Sequence, residues 1–175
     1  MISILELLDK SKIQIYCDMD GVLTDFDSQA RKFGYKGNLP ATNPQENKDL
    51  WKLIESDSKL FWSNMEWLKD GKKLWEFIKP YNPILLTSIG HSLKSKIGSG
   101  GSEGKYLWVK KELGKSIADN NLIVVESKGK TKYANTNSIL IDDQNKNIDS
   151  WIKNKGIGIL YKDVNITLEK LKQML

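Results

Sequence analysis

Cysteine, histidine and arginine are nearly missing from this chain. A single cysteine, Cys17, excludes a disulfide within the chain and suits a reducing compartment. Its place in an apolar run marks it as a small buried hydrophobe. The one histidine, His91, lies in a polar stretch and reads as solvated, without a catalytic role. Of 27 basic residues only Arg31 is arginine, so bidentate contacts to bases or phosphates are scarce and no stable nucleic-acid partner is expected. No apolar run approaches the length that crosses a bilayer. The opening MISILELLDK is broken by Glu6 and Asp9 and lacks a basic start and a small-residue cleavage site. It therefore reads as mature protein, and the expected location is cytoplasmic.

The 175 residues are enough for one domain, and a hydrophobic share of 39% is enough to give it a core. The net charge of +5 implies a lysine-coated surface that would help an anionic substrate approach. Short β-branched runs are predicted as strands at 13–17, 83–88 (PILLTS), 122–127 (LIVVES), 138–143 (SILIDD) and 156–161 (GIGILY). Helical patterns fall at 2–9, through the tryptophan-rich stretch from about 28 to 80, at 105–114 with Gly114 as its stop, and in NITLEKLKQML at the end. The segment IGSGGSEGK (97–105) is predicted to be a mobile loop. Trp75 and Trp151 read as core, and Phe61, Trp62 and Trp67 lean the same way. Strands alternating with helices predict an α/β domain with a mainly parallel, five-stranded sheet.

Residues 13–27, IQIYCDMDGVLTDFD, are the most informative stretch. An apolar run ends in Asp18 and Asp20, and residues i and i+2 of an extended chain point the same way. Two carboxylates so close repel unless a cation or a shared proton lies between them. Oxygen ligands suit a hard cation such as Mg²⁺. Polar groups also follow the other strands: Thr87 and Ser88 the second, Lys128, Lys130 and Lys132 the third, Asp142 and Asp143 the fourth. In a parallel sheet, sites lie outside the carboxyl ends of the strands, so these groups define one candidate site. The chemistry they allow is phosphate monoester hydrolysis. Asp18 is the candidate nucleophile and Asp20 the acid and base. Asp143, joined by Asp142, would hold the far side of a Mg²⁺, and a hydroxyl pair and a lysine would bind the phosphoryl group. A calcium loop is the bland alternative for DMDG. It needs a glutamate at position twelve, which counted from Asp18 is Gln29. A turn or helix cap is the bland alternative for Asp142 and Asp143.

DMDGVLTDF, LLTS, a downstream lysine and LIDD resemble, in order, the four motifs of the haloacid dehalogenase superfamily. The resemblance spans about residues 13 to 145. It is nearest to the 5′(3′)-deoxyribonucleotidase family, which shares a KY-WV segment (Lys105, Tyr106, Trp108, Val109) and a lysine ten residues before IDD, here Lys132. The resemblance implies a Rossmann-like three-layer core from residues 1–27 and 81–175, with a small helical cap at 28–80 after the first strand. It also implies Mg²⁺-dependent dephosphorylation of nucleoside or deoxynucleoside monophosphates through an aspartyl phosphate. By the same resemblance Asp18 is nucleophile and metal ligand, and Asp20 is acid/base and offers the metal its backbone carbonyl. Thr87, Ser88 and Lys132 bind phosphate, Asp143 binds metal, and Phe26 lines the substrate pocket. Lys130 stands where the family often has arginine. The rivals are a phosphatase for polynucleotide ends or another small metabolite, and a catalytically silent nucleotide-binding protein.

Overall fold

In a computed structural model, which describes residues 12–175, five strands form one parallel sheet. They are β1 (Gln14–Cys17), β2 (Ile84–Ile89), β3 (Leu122–Glu126), β4 (Ser138–Asp142) and β5 (Ile157–Leu160). Their spatial order is β3-β2-β1-β4-β5. All five predicted strands are present, and the expected α/β fold with a five-stranded parallel sheet is the observed one. The helix predicted at 2–9 lies outside the described residues.

Alternation along the strands divides the core. Ile15, Cys17, Leu85, Ile139 and Ile141 face one side with a large apolar cluster, while Tyr16, Leu86 and Leu140 face the other with Ile148 and Trp151. Because both faces are covered, the strands read as unbroken hydrophobic runs. Cys17, Trp75 and Trp151 are buried as expected. The second face is covered by α7 (Asn145–Lys153). The first is covered by α5 (Lys96–Glu112), α6 (Lys115–Asn120) and α8 (Val164–Met174). Between β1 and β2 the chain forms α1 (Phe26–Lys32), α2 (Pro44–Ser56), α3 (Ser58–Ser63) and α4 (Gly71–Ile78). Asp25, Asn43 and Asp57 start the first three of these by accepting backbone N–H groups of the first turn. α4 packs on α8.

The glycine-rich segment corrects one expectation. Residues 97–105 are not a loop but the first half of α5, capped by Ser95, whose hydroxyl accepts the Gly98 N–H at 3.1 Å. The glycines serve close approach. A Cβ on Gly101 would lie 2.7 Å from both the Trp62 ring and the Ile89 side chain, and one on Gly104 would lie 2.5 Å from the Lys59 carbonyl. Helix α3 therefore seats directly on the α5 backbone. The helix ends as predicted, at Leu113 and Gly114, the latter with φ +105°.

Candidate active site

The sheet order reverses at β1, which has β2 on one side and β4 on the other. A crevice opens at such a point beyond the carboxyl ends of the strands. The Asp18 N–H extends the β1 ladder onto the Ile141 carbonyl at 2.9 Å, bringing Asp18 beside the end of β4. The chain then turns, with the Leu23 and Thr24 N–H groups both donating to the Met19 carbonyl. Gly21 sits in this turn at φ +77°, and a Cβ there would lie 2.6 Å from Asp143 Oδ2. Any larger residue would push Asp143 out of the crevice.

Two lysine-centred clusters share the crevice. In the first, Lys130 Nζ lies 2.8 Å from Asp18 Oδ2 and 2.6 Å from Asp142 Oδ2, with all three side chains nearly inaccessible. Burial alone would lower the Lys130 pKa. The charges of Asp18 and Asp142 outweigh it and hold the ammonium above its ordinary value. Asp142 also accepts from the Gln144 N–H and from the Asn147 amide, so both of its oxygens are committed. Asp143 differs: its Oδ1 is buried and has no hydrogen-bond partner. Burial, then the charges of Asp18 and Asp142, push its carboxyl up to about 7. Asp18, Asp142 and Asp143 each offer an oxygen within 4.8 Å of the others. Three carboxyl groups thus stand around one ammonium, which pairs with only two of them, and the surplus negative charge with an orphaned oxygen fits a divalent cation.

In the second cluster, Lys105 of α5 is fully buried and donates to Asp20 Oδ2 at 2.7 Å and to Thr87 Oγ1 at 2.6 Å. Asp20 Oδ2 also accepts the Trp62 indole N–H at 3.2 Å, and Oδ1 accepts the Thr24 hydroxyl at 3.1 Å. Charge here is balanced, one carboxylate to one ammonium.

The structure brings Asp18, Asp20, Thr87, Lys130, Asp142 and Asp143 to one edge. Ser88, half-buried at the same edge, enters neither cluster's hydrogen bonds. Phe26 opens α1, its ring 5.3 Å from that of buried Phe61. Lys132 is a correction: it is exposed, and the lysine among the acids is Lys130. A short 3₁₀ turn at Gly129–Tyr133 aims Lys130 inward, and a spacing of ten residues before Asp142 does not register that turn. His91 also departs from expectation. It is half-buried, edge-on to Trp51 with ring centroids 4.5 Å apart. Sequence reasoning missed Lys105 and Trp62 as site residues. The KY-WV segment held Lys105 in view, but its pairing with Asp20, 85 residues away, is tertiary.

No protein-family model and no curated protein matches the chain. Among solved structures it is similar to a hydrolase from Streptococcus pneumoniae TIGR4, with TM-score 0.53 and 13% identity over 92% of this chain and 99% of that one. A hydrolase from Pseudomonas syringae aligns at TM-score 0.46 and 11% identity, covering 93% of this chain and 99% of that one. An Entamoeba histolytica HAD hydrolase of family IA, variant 3, aligns at 0.43 and 12%, covering 92% and 88%. The likeness to the streptococcal hydrolase is one of fold. With the strand order it defines the class by fold alone: a Rossmann-like α/β protein with a five-stranded parallel sheet.

Proposed function

We propose that this chain is a Mg²⁺-dependent phosphomonoester hydrolase of the haloacid dehalogenase type, with nucleoside or deoxynucleoside 5′(3′)-monophosphates as its substrates. The observation that carries the reading is the convergence of Asp18 with Asp143 and its unpartnered oxygen at the switch point of the sheet. Asp18 attacks phosphorus and becomes an aspartyl phosphate, while Asp20 protonates the departing oxygen and then takes a proton from the attacking water. Asp18 and Asp143, with the Asp20 backbone carbonyl, would hold Mg²⁺, which when bound offsets repulsion between substrate and carboxylates and stabilises phosphoryl charge. Asp142 contributes by holding Lys130 beside the nucleophile. Thr87, Ser88 and Lys105 bind phosphoryl oxygens, Lys105 taking the role that the family resemblance assigns to Lys132. Phe26 lines the pocket. The segment 28–80 covers the substrate, and the protein works in the cytoplasm. Among the described residues no helix is long and apolar enough to cross a membrane.

Phosphate release from 5′- and 3′-mononucleotides, an aryl phosphate and a 5′-phosphorylated oligonucleotide, with and without Mg²⁺, tests this reading. Mg²⁺-dependent turnover strongest on mononucleotides is expected. Preference for the oligonucleotide would shift the substrate to polynucleotide ends. No turnover on any of them would leave a nucleotide-binding protein and sink the enzyme.

A further inference from the structure

Trp62 is a nearly inaccessible tryptophan on α3 whose indole N–H is spent on a carboxylate of the site. Its seat is built for it. A Cβ on Gly101 would lie 2.7 Å from Trp62 Cζ3, and one on Gly104 would lie 3.0 Å from Trp62 Cβ. Lys105 follows on the same helix, its ammonium 5.6 Å from the centroid of the Trp62 ring and 2.7 Å from Asp20 Oδ2. One glycine-rich turn of α5 thus delivers both donors to the same oxygen.

A carboxylate oxygen has two lone pairs. Oδ2 of Asp20 has two donors and is full. Oδ1 has only the Thr24 hydroxyl and keeps one lone pair free. The two donors on Oδ2 leave that oxygen no lone pair for a proton. Any proton that Asp20 gives or takes therefore passes through Oδ1.

We propose that Trp62 is a positioning residue for the hydrolysis of the aspartyl phosphate: with Lys105 it saturates Asp20 Oδ2, so that Oδ1 receives the proton of the attacking water. This rests on the phosphomonoester reading above. In the step, the water oxygen bonds to phosphorus and the bond from phosphorus to Asp18 breaks. Asp18 leaves as carboxylate, the water proton passes to Asp20 Oδ1, and inorganic phosphate departs. Formation of the aspartyl phosphate from a substrate with a good leaving group needs no proton from Asp20 and does not depend on Trp62.

The test is Trp62→Phe, which keeps a ring in the slot and removes the N–H, assayed on an aryl phosphate with a weakly basic leaving group. The expected result is a fall of about tenfold in kcat, part of what a general base supplies. KM falls alongside it, kcat/KM is preserved, and acid quenching traps more phosphoenzyme than in wild type. Gly101→Ala, which crowds the Trp62 ring without touching a polar group, is expected to give the same split and carries the test should Trp62→Phe fail to fold. A loss in kcat/KM equal to the loss in kcat would make Trp62 merely structural and overturn the proposal, as would unchanged kinetics. Both results require an active wild type, so they leave the hydrolase reading standing. An inactive wild type would overturn both.

Discussion

The two buried lysines make opposite bargains. Lys130 is outnumbered by Asp18, Asp142 and Asp143, whereas Lys105 faces one carboxylate, Asp20, and a hydroxyl, Thr87. The first cluster draws its groups from the ends of β1 and β4 and the turn that carries Lys130. The second adds Trp62, carried on the segment between β1 and β2. Surplus negative charge in the first cluster fits a cation, whereas the balanced pair in the second creates no such demand. The difference teaches that one crevice can hold an overcharged and a balanced acid cluster a few residues apart, because α5 supplies one lysine and the 3₁₀ turn after β3 the other.

The largest expected effect falls on the cation side. Asp18→Asn should cost at least about 10⁴-fold in turnover, as loss of a nucleophile does, with the circular dichroism spectrum unchanged. Retained turnover would remove Asp18 as nucleophile. Next come the lysines themselves. Lys130→Met strips two buried carboxylates of their ammonium and should destabilise by about 3–5 kcal/mol in urea titration without added metal. Lys105→Met leaves Asp20 with the Trp62 and Thr24 donors, so its cost should be about 1–3 kcal/mol. Equal costs would erase the contrast between the clusters.

A third test sets pH against metal. The Asp143 carboxyl, pushed up to about 7 chiefly by burial, ionises later in the folded than in the unfolded chain. Between roughly pH 4 and 7 the folded state therefore binds more protons than the unfolded one, and the metal-free protein loses stability across that window as pH rises. Mg²⁺ should raise Tm more at pH 7.5 than at pH 5. A gain independent of pH would separate Asp143 from the cation. The smallest effect is expected for Lys132→Ala: within about 0.5 kcal/mol in stability, with turnover unchanged. A large loss there would restore the lysine that spacing favours.

The sheet was legible because buried parallel strands are short β-branched runs, and LIVVE and SILID can be little else. Asp18, Asp20, Asp142 and Asp143 were legible because a strand end fixes where the next side chains point. The glycine-rich segment was misread for a physical reason. Glycine is a poor helix former in isolation, and its value here lies in letting α3 approach α5, which no local pattern encodes. The choice between Lys130 and Lys132 failed similarly. A two-residue offset in a 3₁₀ turn reverses which ammonium points inward, and nothing nearby in the chain records the direction.

By itself, then, the amino-acid order determined the strands, their polar ends and the pair of acids that a cation or proton must reconcile, all consequences of local periodicity. Tertiary structure alone decided which lysine meets which acid and that an indole N–H reaches Asp20. Those contacts join residues far apart in the chain, Lys130 with Asp18 and Lys105 with Asp20, and their geometry exists only once the helices have packed.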